Sequence, residues 1–68
     1  MEAQFYTIHI DGYLKNPVRY DLPKVMPVPQ IGSKLFIKDV VAEVIDIYYH
    51  VNDEGKLHWV DIQAKRTS

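Results

Sequence analysis

The 68-residue sequence contains no cysteine. That excludes disulfide staples, thiolate zinc sites and thiol nucleophiles together. A chain this short buries only about 60% of the surface that its unfolded form exposes, so its core is thin and has no covalent support. Serine is nearly as scarce, with Ser33 and Ser68 the only two. Ser33 stands in Gly32-Ser33-Lys34, where a turn hydroxyl ordinarily bonds backbone. Adjacent strand residues point to opposite faces, which spoils the hydrogen bond a Ser-Lys dyad needs. The same tripeptide lacks the earlier glycine and the following helix of a phosphate loop.

An excess of charge is also missing. Eight Lys and Arg against nine Asp and Glu leave a net charge of −1, too little to draw phosphate backbones or anionic membranes by a global field. No apolar run is long enough to span a bilayer, and the opening MEAQ has no basic start of a signal peptide. A cytoplasmic chain with no membrane partner is therefore expected. No window of eleven or more residues shows a 3.6-residue repeat between caps, which argues against a substantial helix.

Strand chemistry is what remains. Tyr6, Ile8 and Ile10 are in phase within a β-branched and aromatic run that stops at Asp11-Gly12, and Val18, Tyr20 and Leu22 alternate with Arg19 and Asp21. Residues 5–22 read as a hairpin with a long tip that includes Tyr13, Leu14 and Lys15. Pro23, Pro27 and Pro29 each lack a ladder N–H, which makes residues 23–33 a crossover rather than a central strand. No two prolines have the Pro-x-x-Pro spacing of a polyproline ligand. Leu35 to Lys38, Val40 to Val51 and Leu57 to Lys65 complete the set, with Asn52-Asp53-Glu54-Gly55 a reversal in which Gly55 takes the positive φ.

The expectation is a single all-β domain over residues 1–68, with strands near 4–10, 17–22, 34–38, 40–51 and 57–65. Five short strands with frequent turns fit a small antiparallel SH3-like barrel, an OB-like barrel or small β-sandwich being the alternatives. The stretch PVPQIGSKLFIKDVVAEVIDIYYHV resembles the pattern of Pro-x-x-Gly, strand, turn and long bent strand found in many short bacterial and phage proteins. The shared residues are structural, so the resemblance implies a fold and a small accessory protein, with no site.

The last hairpin decides between core and surface. If Gly55 bulges the turn, Val51 faces Leu57, His50 faces His58, Tyr49 faces Trp59 and Tyr48 faces Val60. Both faces are then partly apolar, although one side of an antiparallel sheet usually meets water. Bulges or a bend near Asp46 and Val60 would put Ala42, Val44, Val60 and Ile62 in the core at the base, with Tyr49, Val51, Leu57 and Trp59 lining it near the tip. A straight hairpin would instead leave Ile45, Ile47, Tyr49, Val51, Leu57 and Trp59 outside as one apolar patch needing a partner.

His50 and His58 are cross-strand neighbours in this register, with Asp46 or Asp61 nearby, but two imidazoles fall short of a metal's ligand set. No metal, cofactor or catalytic residue is expected. His9, alone in its strand, reads as a solvent-facing or packed residue. The leading expectation is a noncatalytic binding or assembly module. It would act by self-association or protein contact through Tyr48, Tyr49, His50, His58 and Trp59. Capture of nucleic acid or a nucleotide-like ligand is the alternative, with aromatic rings for stacking and Lys15, Arg19, Lys34 and Lys38 for the backbone.

Overall fold

A computed structural model describes residues 4–12, 16–25 and 27–67. Five strands form one sheet: β1 (Phe5–Ile10), β2 (Val18–Asp21), β3 (Lys34–Ile37), β4 (Val40–Val51) and β5 (Leu57–Arg66). Their order is β2-β1-β5-β4-β3, and the sheet curls into a half-barrel. One face carries the core of Tyr6, Ile8, Leu35, Ala42, Val44, Val60, Ile62 and Ala64. The alternation of β1 follows from its sequence, with Tyr6 and Ile8 turned inward and Phe5 and Thr7 outward.

The sheet is mixed, which corrects the expectation of an all-antiparallel barrel. The β1–β2, β3–β4 and β4–β5 pairs are antiparallel, but β1 runs parallel to β5, with Phe5 opposite Trp59 and Ile10 opposite Ala64. The direction follows from the crossover. Strand β2 ends beside Phe5, at the end of the sheet nearest the β4–β5 turn, whereas Lys34 of β3 pairs with Glu43, the fourth of the twelve residues of β4. The connection therefore crosses the width of the sheet without travelling its full length. Strand β3 then runs in the direction of β1, and two tight turns later so does β5.

The proline-rich segment is also part of the core. Leu22 and Val28 pack against the buried cluster and Pro29 is itself buried, so the crossover runs along the core face of the sheet. A single 3-10 turn at Leu22–Lys24 opens it, with Pro23 at the first turn, too short to leave a periodicity in the sequence.

Two bulges set the geometry of the long hairpin. At the turn, Asn52 accepts from the Glu54 and Lys56 amides through Oδ1 (2.9 and 3.0 Å), and Gly55 takes a φ of 78°. Val51 pairs with Leu57 as the turn chemistry demands, but the next pairs are His50 with Trp59, Tyr49 with Val60 and Tyr48 with Asp61. The expected pairs of His50 with His58, Tyr49 with Trp59 and Tyr48 with Val60 are thus displaced by one, because His58 is an extra residue on β5. Ile45 is the extra residue on β4, between Val44 opposite Ala64 and Asp46 opposite Gln63.

These bulges answer the question of core against surface in a mixed way. Ala42, Val44, Val60 and Ile62 are buried at the base, as a bulged hairpin requires. Near the tip Tyr49 and Val51 are each 57% exposed and do not line the core. The apolar patch of a straight hairpin is not present in one piece either. Ile47 and Leu57 pack on the core, while Trp59 shares the opposite face with Phe5 and His50.

Candidate functional site

The outer face of the sheet, opposite the core, is built from rows of residues that the register places side by side. Arg19, Thr7, Asp61 and Tyr48 form one row across β2, β1, β5 and β4, and Asp21, Phe5, Trp59 and His50 form the next. Each set owes its position to the two-residue period of the strands, and the His58 bulge brings His50 rather than Tyr49 beside Trp59.

Asp61 organises this face. It is 7% exposed, and a buried carboxylate is stable only where donors replace its water. His9 Nε2 lies 3.2 Å from Oδ1, His50 Nε2 lies 2.7 Å from Oδ2, and the Trp59 indole N–H donates to Oδ2 at 3.3 Å. The imidazoles bond it as donors when their protons sit on Nε2. His9 is buried with Asp61, whereas His50 is half-exposed.

Around this carboxylate the rings stack. His50 lies over Trp59 with centroids 4.2 Å apart, His58 meets Trp59 edge-on at 4.7 Å, and Phe5 lies nearly parallel to Trp59 at 6.4 Å. The Arg19 guanidinium sits 3.9 Å over the Phe5 ring. The strip is thus occupied by its own members. Beside it, Tyr48 donates to Asp46 Oδ2 at 2.8 Å, and the bond and the charge of Asp46 raise the phenol above its ordinary value.

The expected binding residues are therefore divided. Tyr48, His50 and Trp59 share the outer face, His58 sits in the bulge, and Tyr49 points to the other side of the hairpin. Of the basic set, Lys15 lies outside the described residues. Arg19 is on β2 and Lys34 and Lys38 are on or just beyond β3, at opposite edges of the sheet. The outer face instead carries Asp21, Asp46 and Asp61.

The role of His9 was invisible in the sequence because it depends on the parallel β1–β5 pairing. Asp61 left a weak signal, standing between Trp59 and Gln63 on the polar phase of a strand whose other phase, Val60 and Ile62, is apolar.

A different feature stands at the hairpin. Strand β3 pairs only with Val40 to Glu43 of β4, and Gly32 and Ser33 continue the ladder to Val44. Beyond that, among the described residues, no strand pairs with the outer edge of β4. Ile45, Tyr48, Tyr49 and Val51 on this free half are 51%, 43%, 57% and 57% exposed. Asp46 Oδ1 accepts from the Ile47 amide at 3.0 Å, satisfying one backbone donor of the edge internally.

Among the described residues no group of three or more His, Asp or Glu is arranged to hold a metal ion, and no helix is long and apolar enough to cross a membrane. No protein-family model matches the chain, and the comparisons with curated proteins and solved structures found no match.

Proposed function

We propose that this chain is a noncatalytic assembly module that self-associates through the free half of β4. The observation that carries the reading is the coincidence, on residues 45–51, of an unpaired strand edge with exposed Ile45, Tyr49 and Val51. An exposed apolar edge is a template for another strand, and the protein's thin core makes a second subunit its readiest source of further burial. The occupant is a second copy. An isologous pair of antiparallel β4 edges would continue the ladder around a two-fold axis and bury Tyr49 and Val51 of both copies. Such pairing would also extend the curled sheet toward the SH3-like barrel wall expected from the sequence.

In this reading Asp61 is the scaffold and the hairpin is the contact. Trp59 and His50, held by Asp61, stiffen the hairpin near its tip so that little ordering entropy opposes docking. Tyr49→Lys and Val51→Lys place charges on the edge without touching the core. Sedimentation velocity should give a dimer for the parent chain and a folded monomer for these variants. A monomeric parent chain would overturn the reading.

Nucleic-acid or nucleotide binding is a second reading, supported by the strip of Phe5, Trp59 and His50 with Arg19 at its end. It predicts oligonucleotide affinity that falls steeply with salt. Asp21, Asp46 and Asp61 on the same face, and the separation of Arg19 from Lys34 and Lys38, weigh against it.

A further inference from the structure

At the end of the sheet opposite the hairpin tip, the end of β1, the start of β2, the β3–β4 turn and the end of β5 surround an open cleft of about 480 Å³. This falls within the range of small-molecule clefts. Ile10, Val18, Ile37 and Val40 supply its apolar lining, and Lys38 and Arg66 supply cations. Lys38 makes no ion pair among the described residues, whose bridges are His9–Asp61, His50–Asp61 and Arg66–Asp11. Arg66 is paired with Asp11, which accepts from the Arg66 amide at 3.0 Å and lies 3.4 Å from Nε. The Nη groups of Arg66 are left to donate elsewhere.

Backbone strain gathers at the same cleft. Among the described residues, the non-glycine positions with positive φ are Asp11 (59°), Asn16 (38°) and Lys38 (55°), and all three line it. Asp and Asn tolerate this region through local hydrogen bonds, whereas lysine does not. Lys38 is the first residue of a two-residue turn closed by the Ile37–Val40 pair, a position where glycine is the low-cost choice. The positive φ of Lys38 is a local strain of the kind that gathers at functional positions.

We infer that this cleft binds a small aliphatic monocarboxylate. The apolar lining takes the chain, Arg66 presents the planar donor geometry that matches a carboxylate, and Lys38 adds a point charge. Because Asp11 neutralises Arg66, the remaining net charge among the described lining residues is the single charge of Lys38, which complements a monoanion better than a doubly charged phosphate ester. The site lies at the opposite end of the sheet from the proposed contact on β4 and does not rest on it.

The test is titration of the full ¹⁵N-labelled chain with sodium octanoate, followed by amide chemical shifts. Saturable shifts at Ile10, Val18, Ile37 and Lys38 are expected. Octylamine should leave these amides unmoved, and acetate should bind far more weakly for want of a chain. Lys38→Gln should weaken octanoate binding roughly tenfold, the size of one lost charge-assisted contact. Lys38→Gly should weaken it as much while raising the melting temperature, which separates lost binding from lost fold. Parent affinity in Lys38→Gly, equal binding of octylamine, shifts centred on Tyr49 and Val51, or no saturable shift would each overturn the inference.

Discussion

His9 and Asp61, 52 residues apart in sequence, meet at 3.2 Å between neighbouring parallel strands, both almost wholly buried. The contact ties the amino-terminal hairpin to the carboxy-terminal strand, and the same carboxylate holds His50 at 2.7 Å on the far side. Asp61→Ala would strip His9 of that acceptor in a site closed to water. A loss of about 2–3 kcal/mol in unfolding free energy is expected, the cost of breaking a buried charge-assisted contact. Urea denaturation measures it, and a loss within about 0.5 kcal/mol, the size of a surface substitution, would show that the pairing does not hold the sheet together.

Tyr6 supplies a prediction of opposite sign. Its ring is fully buried and stacks on Tyr20 at 5.2 Å, and its hydroxyl has no hydrogen-bond partner among the described residues. Burial first, and the neighbouring Tyr20 second, push its pKa above the ordinary value of 10.0. Since the folded chain keeps this proton longer than the unfolded one, the contribution is fully present below pH 10 and is lost as pH rises from there through the folded pKa. Tyr6→Phe should stabilise the protein by about 1 kcal/mol by removing an unpaired buried hydroxyl. It should also flatten the alkaline limb of a stability profile taken from neutral pH upward. A destabilised Tyr6→Phe would mean the hydroxyl has a bonding role in the fold.

Lys38→Gly removes a side chain from a φ of 55°. Relief of that conformation should add about 1 kcal/mol of stability, visible as a higher urea midpoint with an unchanged slope. A lower midpoint would mean that contacts of the lysine outweigh its backbone cost.

How much of this was legible follows from what each feature depends on. Strand phase is local, so the inward set Tyr6, Ile8, Ala42, Val44, Val60 and Ile62 could be read from alternation. The reversal at Asn52 and Gly55 was equally local, since only glycine takes that φ without strain. The direction of β1 against β5 was not, because it depends on how far the crossover travels and not on any residue in either strand. The bulge at His58 carries no distinctive residue, and that single insertion changed the pairs from His50 to Asp46, until the extra Ile45 on β4 restored the count at Val44, and moved Trp59 from Tyr49 to His50. The aromatic set was therefore identified as residues but not in its arrangement, and the place of Asp61 between His9 and His50 emerged only with the fold.

Joining of a second copy by the free half of β4 is decided by the mass of the protein in solution. Sedimentation equilibrium of the parent chain over a range of concentrations should give twice the chain mass at the upper end and a concentration-dependent decline below it. Val51→Lys should give the monomer mass throughout with unchanged circular dichroism. A parent chain of monomer mass at every concentration, or a Val51→Lys variant that dimerises as strongly as the parent, would rule out self-association through this edge.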